Sequence, residues 1–305
     1  MSAVRIGIDV GGTKIEALAI DAQGRELARR RIPSPARDYE RLLAAIGALV
    51  NEVEGALGVQ GARVGIGTPG AISPASGLIK NANSTELNGH AFDADVSRAL
   101  GREVRVANDA NCFALSEATD GAGAGHRLVF GAILGTGTGG GLVMDGALWV
   151  GPNAIAGEWG HNELPSRTEP GLPDTRCYCG RPRCIETYVS GPGLAAEHAR
   201  SAASGAGLDA AAIAALARAG DRDAQATLAR YANRLAGALA TVINVVDPDV
   251  VVLGGGVSNI DELYPALRAR LADHVFSDRC TTPVVKNRHG DASGVRGAAW
   301  LWPAA

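Results

Sequence analysis

Apolar positions along the chain switch repeatedly between the period of a strand and the period of a helix. Residues 4–10 are rich in β-branched side chains and predict a strand that ends at Gly11-Gly12-Thr13-Lys14. Residues 15–20 predict a second strand, which makes the pair a hairpin, and residues 21–24 form a turn. Over residues 38–57, Leu42, Leu43, Ile46, Leu49, Val50, Val53 and Leu57 recur at helical spacing. Residues 64–67 predict a short buried strand running into the turn Thr68-Pro69-Gly70. Residues 104–107 predict another, followed by Asn108-Asp109-Ala110-Asn111 and a helix to about Ala118. Gly121 to Gly125 alternates glycine with alanine and marks a hinge or domain boundary.

The second half repeats the pattern. Residues 129–134 form a continuous apolar strand, then come Gly135-Thr136-Gly137-Thr138-Gly139-Gly140-Gly141 and a further strand and hairpin turn over 142–146. Alanine-rich helices are expected over 208–218 and 221–246. In the longer one Leu228, Tyr231, Leu235, Leu239, Val242 and Val246 supply the core stripe. Residues 249–253 predict a buried strand leading to Gly254-Gly255-Gly256, with a helix near 260–272 and a terminal helix ending near Trp300. Strands alternating with helices predict an α/β chain, and two strand–glycine–strand hairpins suggest duplicated domains facing one cleft.

Composition narrows the class only a little. A chain of 305 residues, 46% hydrophobic, is long enough to bury a large core, and in two domains rather than one. A net charge of −3 gives no electrostatic case for a nucleic-acid or anionic-membrane partner. No apolar run approaches a membrane span, and the first strand begins too early to leave room for a secretory signal. The five cysteines are odd in number and mostly clustered, which fits a reducing cytoplasm better than a disulfide framework.

The clustered cysteines carry the most specific chemistry. Cys177, Cys179 and Cys184 with His161 supply three thiolates and an imidazole, the ligand set of a closed structural zinc site. Gly180 and Pro182 favour the tight turn that would let the sulfurs converge. The alternative is a group of small buried hydrophobes. Glu158 and Glu186 bracket the cluster, as pocket carboxylates or as solvated surface charges.

Elsewhere the chemistry is that of phosphate and hydroxyl groups. Gly11, Gly12 and Thr13 allow backbone N–H groups to close on a phosphate, and Asp9 beside them could hold a hydrated Mg²⁺. Gly135, Thr136, Gly137 and Thr138 repeat that chemistry. Because a strand and not a helix follows, a dinucleotide fingerprint is excluded. Gly254, Gly255 and Gly256 permit close approach of a nucleotide. Asp109, at a strand-to-helix junction, is placed to accept a proton from a substrate hydroxyl, or simply to cap the helix.

Taken in order, Asp9-x-Gly-Gly-Thr-Lys14, Asn108-Asp-Ala-Asn111, the Gly135 run, Gly157-Glu-x-Gly-His161, the cysteine cluster ending in Glu186, and Gly254-Gly-Gly256 resemble the ROK family of bacterial sugar kinases and repressors. The resemblance covers essentially the whole chain. It implies a two-domain actin-like, ribonuclease-H-like ATPase fold. Residues 1–120 plus about 290–305 would form one domain, and 121–289 the other, with the zinc loop. It further implies Asp109 as general base; Thr68, Pro69, Gly70, Asn83, Asn108, Glu158, His161 and Glu186 around the sugar; Gly11 to Lys14 and Gly135 to Thr138 on the ATP phosphates; and Gly254 to Gly256 near adenosine.

ATP, Mg²⁺ and a structural Zn²⁺ are the implied cofactors, a homodimer the implied assembly, and domain closure about residues 118–125 the implied motion. Among family members, Ile72-Ser-Pro, the Lys80–Thr85 run, Ala156 to Asn162 and the ending Ser293 to Pro303 resemble fructokinases, so phosphorylation of fructose is the leading expectation. Kinases of N-acetylglucosamine, N-acetylmannosamine or glucose are the alternatives. A sugar-responsive repressor ranks lower, because only eight residues precede Asp9 where a helix-turn-helix would be needed. One departure stands out: Arg183 occupies the place before the last cysteine where the family pattern has glycine.

Overall fold

The chain begins with β1 (Arg5–Val10), whose residues are almost all buried, and β2 (Lys14–Ile20), antiparallel to it through a turn closed by the Gly11 N–H on the Lys14 carbonyl at 3.0 Å. This computed structural model describes residues 4–35, 37–165, 172–202 and 207–303, so residues 166–171 of the expected zinc loop lie outside the described residues. In chain order there follow β3 (Glu26–Pro33), α1 (Tyr39–Leu57), β4 (Arg63–Thr68), β5 (Ala71–Ile72), β6 (Ile79–Lys80), α2 (Phe92–Leu100), β7 (Val104–Asn108) and α3 (Asp109–Thr119). Next come β8 (Leu128–Leu134), β9 (Thr138–Met144), β10 (Ala147–Leu148), α4 (Glu186–Val189), α5 (Gly191–Ser201), α6 (Ala210–Arg218) and α7 (Arg222–Val246). β11 (Val250–Gly254), α8 (Leu263–His274), β12 (Val284–Lys286) and α9 (Ser293–Trp300) complete the chain.

The residues group into two compact units. The first comprises Met1–Gly125, Gly141–Ala156 and Asp291–Ala305; the second comprises His126–Gly140 and Gly157–Gly290. In the first, the strand order is β3-β2-β1-β4-β7, with β1, β4 and β7 parallel. One face buries Ile6, Ile8, Ile15 and Ile66 against the apolar stripe of α1, Leu42, Ile46, Leu49, Val50 and Val53. α9 packs on the other face and on α3. A Cβ at Gly7 or Gly65 would strike the α9 backbone, and one at Gly297 would strike the Cys112 carbonyl, so glycine sets these approach distances. Asp38 caps α1 by accepting the Arg41 N–H, and Gly58 in the left-handed region ends it.

In the second unit, β11 runs parallel to both β8 and β12, and its four valine and leucine residues are fully buried, as a strand covered on both faces requires. α7 packs against α5, α6 and α8, burying Leu228, Tyr231, Leu235 and Leu239. Two details differ from the expected stripe. Val242 and Val246 are only half-buried, while Arg234 is fully buried, held by Glu197 of α5 at 2.9 Å. Among the described residues no helix is long and apolar enough to cross a membrane.

Candidate active site

In the first unit, strand register brings the expected residues to one edge. Asp9 pairs with Gly67 across β1 and β4, and Thr68 pairs with Asn108 across β4 and β7, so all lie at the carboxyl ends of three parallel strands. That is where open α/β sheets present ligand groups. Asn108 is engaged on both ends of its amide. Its Oδ1 accepts the N–H groups of Ala110 at 2.9 Å and Asn111 at 3.3 Å, capping α3, and its Nδ2 donates to the Gly70 carbonyl at 3.0 Å. Asn108 is thus the helix cap, which leaves Asp109 as first residue of α3 with its Oδ1 accepting the Ala110 N–H at 2.8 Å.

Asp9 and Asp109 interact. Burial first, then the charges of Asp109 and Glu16, push the Asp9 carboxyl up to about 6, against the opposing pull of Lys14. Beneath them Cys112 is fully buried, and burial together with the same two aspartates raises its thiol well above its ordinary value. A Cβ at Gly67 would lie 3.2 Å from Cys112 Sγ and 3.8 Å from Asp9 Oδ1, so the glycine keeps this carboxylate floor open. Thr68 and Pro69 are buried and Gly70 half-buried, while Asn83 is exposed on the loop after β6. Within that loop Asn88, not Asn83, makes the turn, by pairing both ends of its amide with the Ala82 backbone at 2.9 and 2.8 Å. Gly12 and Thr13 are exposed, and Lys14 stands 3.9 Å from Glu16.

In the second unit, the turn between β8 and β9 is closed by the Gly135 N–H on the Gly137 carbonyl at 2.9 Å, and the Gly191 N–H donates to the Gly135 carbonyl at 2.8 Å. Thr138 donates its N–H to Glu186 Oε2 at 2.9 Å. Its hydroxyl is buried with no partner, a donor that a phosphate oxygen would satisfy. Gly255 has φ 78°, and a Cβ there would lie 2.5 Å from the Leu134 carbonyl oxygen, so only glycine fits. Gly135, Thr136 and Gly256 open onto a cavity of about 750 Å³, walled by Ala195, Ala196 and Ala199 of α5 and by Leu208 to Ala211. This volume and its small apolar lining suit a nucleoside. The sequence reading placed neither α5 nor residues 208–211 here, although Ser190 as N-cap and Pro192 in the first turn are a helix-start signal.

The metal donors converge. One donor atom from each of His161, Cys177, Cys179 and Cys184 lies within 4.8 Å of the others. Cys177 Sγ is 3.7 Å from His161 Nδ1, and Cys179 and Cys184 are 3.5 Å apart as free thiols. Three sulfurs and one imidazole nitrogen at this spacing fit a tetrahedral Zn²⁺. His161 turns its other nitrogen, Nε2, to the Tyr178 hydroxyl at 3.1 Å. Glu158 is exposed, and its carbonyl accepts the His161 N–H at 3.3 Å. Between them Trp159 is buried, donating to the Gly139 carbonyl at 2.8 Å and meeting Phe130 edge-on, so it pins the segment to the start of β9. Glu186, expected at the sugar, spends one oxygen on Thr138 and points the other at the Cys177 thiol, 3.7 Å away.

A profile of the ROK family matches residues 5–305. The N-acetyl-D-glucosamine kinase of Pectobacterium atrosepticum is 42% identical over 299 residues, covering 97% of each chain. The crystal structure of a ROK hexokinase from Thermus thermophilus superposes with a TM-score of 0.83 at 31% identity, over 97% of this chain and 96% of that one. A ROK glucokinase from Streptomyces griseus, solved with glucose and AMPPNP, gives 0.80 at 30% identity over 98% of both chains. The expected actin-like ATPase fold is therefore the fold of this chain.

Proposed function

The chain belongs to the ROK family and is one of its sugar kinases, and from that premise we propose that it transfers the γ-phosphoryl group of ATP to the 6-hydroxyl of N-acetyl-D-glucosamine. The observation that carries the sugar's identity is the 42–43% identity, along 97% of the chain, to kinases of that name. Fructose, the leading expectation from local motifs, finds no such support. The N-acetyl sugar, held there as an alternative, does.

In the proposed mechanism Asp109 takes the proton of the sugar's 6-hydroxyl as the oxygen attacks phosphorus in line with the departing ADP oxygen. Asn108 fixes Asp109 by capping α3 and holding the Gly70 carbonyl. Asn83 and Glu158 are assigned to the remaining sugar hydroxyls, together with His161 through its Nε2, where a sugar hydroxyl would take the place of the Tyr178 hydroxyl, with Thr68, Pro69 and Gly70 alongside. The turns Gly11 to Lys14 and Gly135 to Thr138 stabilise the phosphate charge through the backbone N–H groups not spent on closing those turns or on Glu186, helped by the unpartnered Thr138 hydroxyl. Gly254 to Gly256 and the alanine-lined cavity receive the nucleoside. Glu186 serves here as support for the Thr138 turn.

Asp9, crowded by Asp109 and Glu16, fits the neighbourhood of a cation, and Mg²⁺ when bound would neutralise charge on the phosphates. Zn²⁺ would be held by His161, Cys177, Cys179 and Cys184 and would order their loop. Action on cytoplasmic ATP and sugar, as a homodimer without nucleic-acid or membrane partners, completes the reading.

The test is ADP release with ATP and Mg²⁺ against N-acetylglucosamine, N-acetylmannosamine, glucose, mannose and fructose. A kcat/KM at least about tenfold higher for N-acetylglucosamine is expected. A preference for fructose would overturn the choice of sugar, and no turnover on any of them would overturn the kinase assignment.

A further inference from the structure

Arg183 sits where a glycine is the unstrained residue. Its φ is 60°, in the left-handed region that side chains with a Cβ rarely enter. Such strain persists where surrounding contacts over-determine it, and here they do. The Arg183 N–H donates to the Thr175 carbonyl and its own carbonyl accepts the Leu164 N–H, both at 2.9 Å. Its guanidinium donates to Glu163 at 3.1 Å, to Asp174 at 3.2 Å and to the Leu172 carbonyl at 3.1 Å.

These partners lie on the segments that carry the metal donors. Glu163 is two residues after His161, Asp174 three before Cys177, and Cys184 is the next residue after Arg183. Glu163 and Cys184 also form an antiparallel bridge. The arginine is itself largely covered, with 17% of its side chain exposed, while Glu163 and Asp174 stand at the surface. A hub of one largely covered cation and three acceptors is worth more than three separate surface pairs, because a single ordered side chain serves all of them.

Resting on the zinc reading above, we propose that Arg183 is a positioning residue that latches the three donor-bearing segments together, so that the Cys177–Cys179–Cys184–His161 set stays assembled and releases its metal slowly. A glycine there would relax the backbone and leave the segments tied by the metal and by the main-chain hydrogen bonds. The arginine exchanges backbone ease for a side-chain tie that needs no metal.

Zinc release from the purified full-length chain to a chromogenic chelator tests this. R183G has the strain-free backbone, so a change in its rate reports the lost side chain; the E163Q/D174N double variant leaves residue 183 untouched. Release about tenfold faster in R183G and about threefold faster in the double variant is expected, with Trp159 fluorescence confirming that both remain folded. Release at the wild-type rate in either variant overturns the latch while leaving the zinc site standing. A wild-type chain that contains no zinc as purified and takes up neither zinc nor cobalt overturns the zinc reading and the latch with it.

Discussion

Glu186 accepts the Thr138 N–H through Oε2 at 2.9 Å while its Oε1 faces the Cys177 thiol at 3.7 Å. One carboxylate therefore joins the cysteine cluster to the glycine turn assigned to the ATP phosphates. Gly137 leaves space for it, since a Cβ there would lie 2.5 Å from Oε2. Truncation in Glu186→Ala orphans the Thr138 N–H and loosens that turn. Because a hydrogen bond to a charged acceptor is worth about 1.5–3 kcal/mol, KM for ATP should rise by about 10- to 100-fold. Glu186→Gln, which keeps an acceptor, should do less. Steady-state kinetics with each substrate varied in turn would show it, and a change confined to the sugar's KM would return Glu186 to the sugar.

Asp109→Asn preserves the shape of the α3 start and the Asn108 cap but removes the base. A fall in kcat of at least about 10²-fold is expected. Calorimetric affinity for the sugar should stay within a few-fold of wild type. Near-normal turnover would reject the assignment.

How much of this was readable in the sequence follows from what each segment displays. The β1–β2 hairpin, α1 and the β4, β7, β8 and β11 strands announce themselves because their apolar runs end in glycine or aspartate signals. β3 was missed for a physical reason. Its exposed residues form an edge strand whose Arg29, Arg30 and Arg31 pair with Glu26, Glu52 and Glu16, so no apolar alternation is visible. α5 was missed because Gly191-Pro192-Gly193 reads as loop, yet it supplies the alanine wall of the cavity. The cysteine spacing disclosed the donor set, and Arg183 was visible as a departure. Its φ and its three acceptors come from segments up to twenty residues away and are written in no local pattern. The sugar's identity was the least legible, since amide-rich loops recognise hydroxyls of many sugars alike.

Glu197 links three arginines, Arg200, Arg230 and the fully buried Arg234, at 2.7–2.9 Å. Burial alone would raise its carboxyl, but the bonds to Arg234, Arg200 and Arg230 outweigh burial and hold it at about 2. Its contribution is therefore present above the ordinary carboxylate range and is lost as pH falls from about 4.5 towards 2. Glu197→Gln removes the carboxylate charge that faces the buried Arg234 and should cost about 3 kcal/mol at pH 7. Denaturant melts at several pH values would check it: the gap between wild type and variant should narrow below pH 4.5, and a gap constant with pH would contradict the ion-pair account.

Asp9 should behave in the opposite sense. Burial and the charges of Asp109 and Glu16 lift it to about 6, so the folded chain holds its proton more tightly than the unfolded chain does. The stability this group contributes is fully present below its unfolded value of 3.8 and is lost as pH rises through about 6. Asp9→Asn cannot ionise and escapes that loss. It should equal wild type in stability near pH 4 and exceed it by about 1–2 kcal/mol above pH 6.5, a figure kept below the full shift because Asp9 is only half-buried. The same substitution should lower kcat/KM for ATP with Mg²⁺ by at least about tenfold, because a neutral amide gives a cation little reason to stay. Melting and kinetics on one preparation across this pH range decide the matter. An Asp9→Asn chain that is less stable than wild type at pH 8 would mean that Asp9 is held by partners that favour its charge, and the strained carboxylate pair would have to be abandoned.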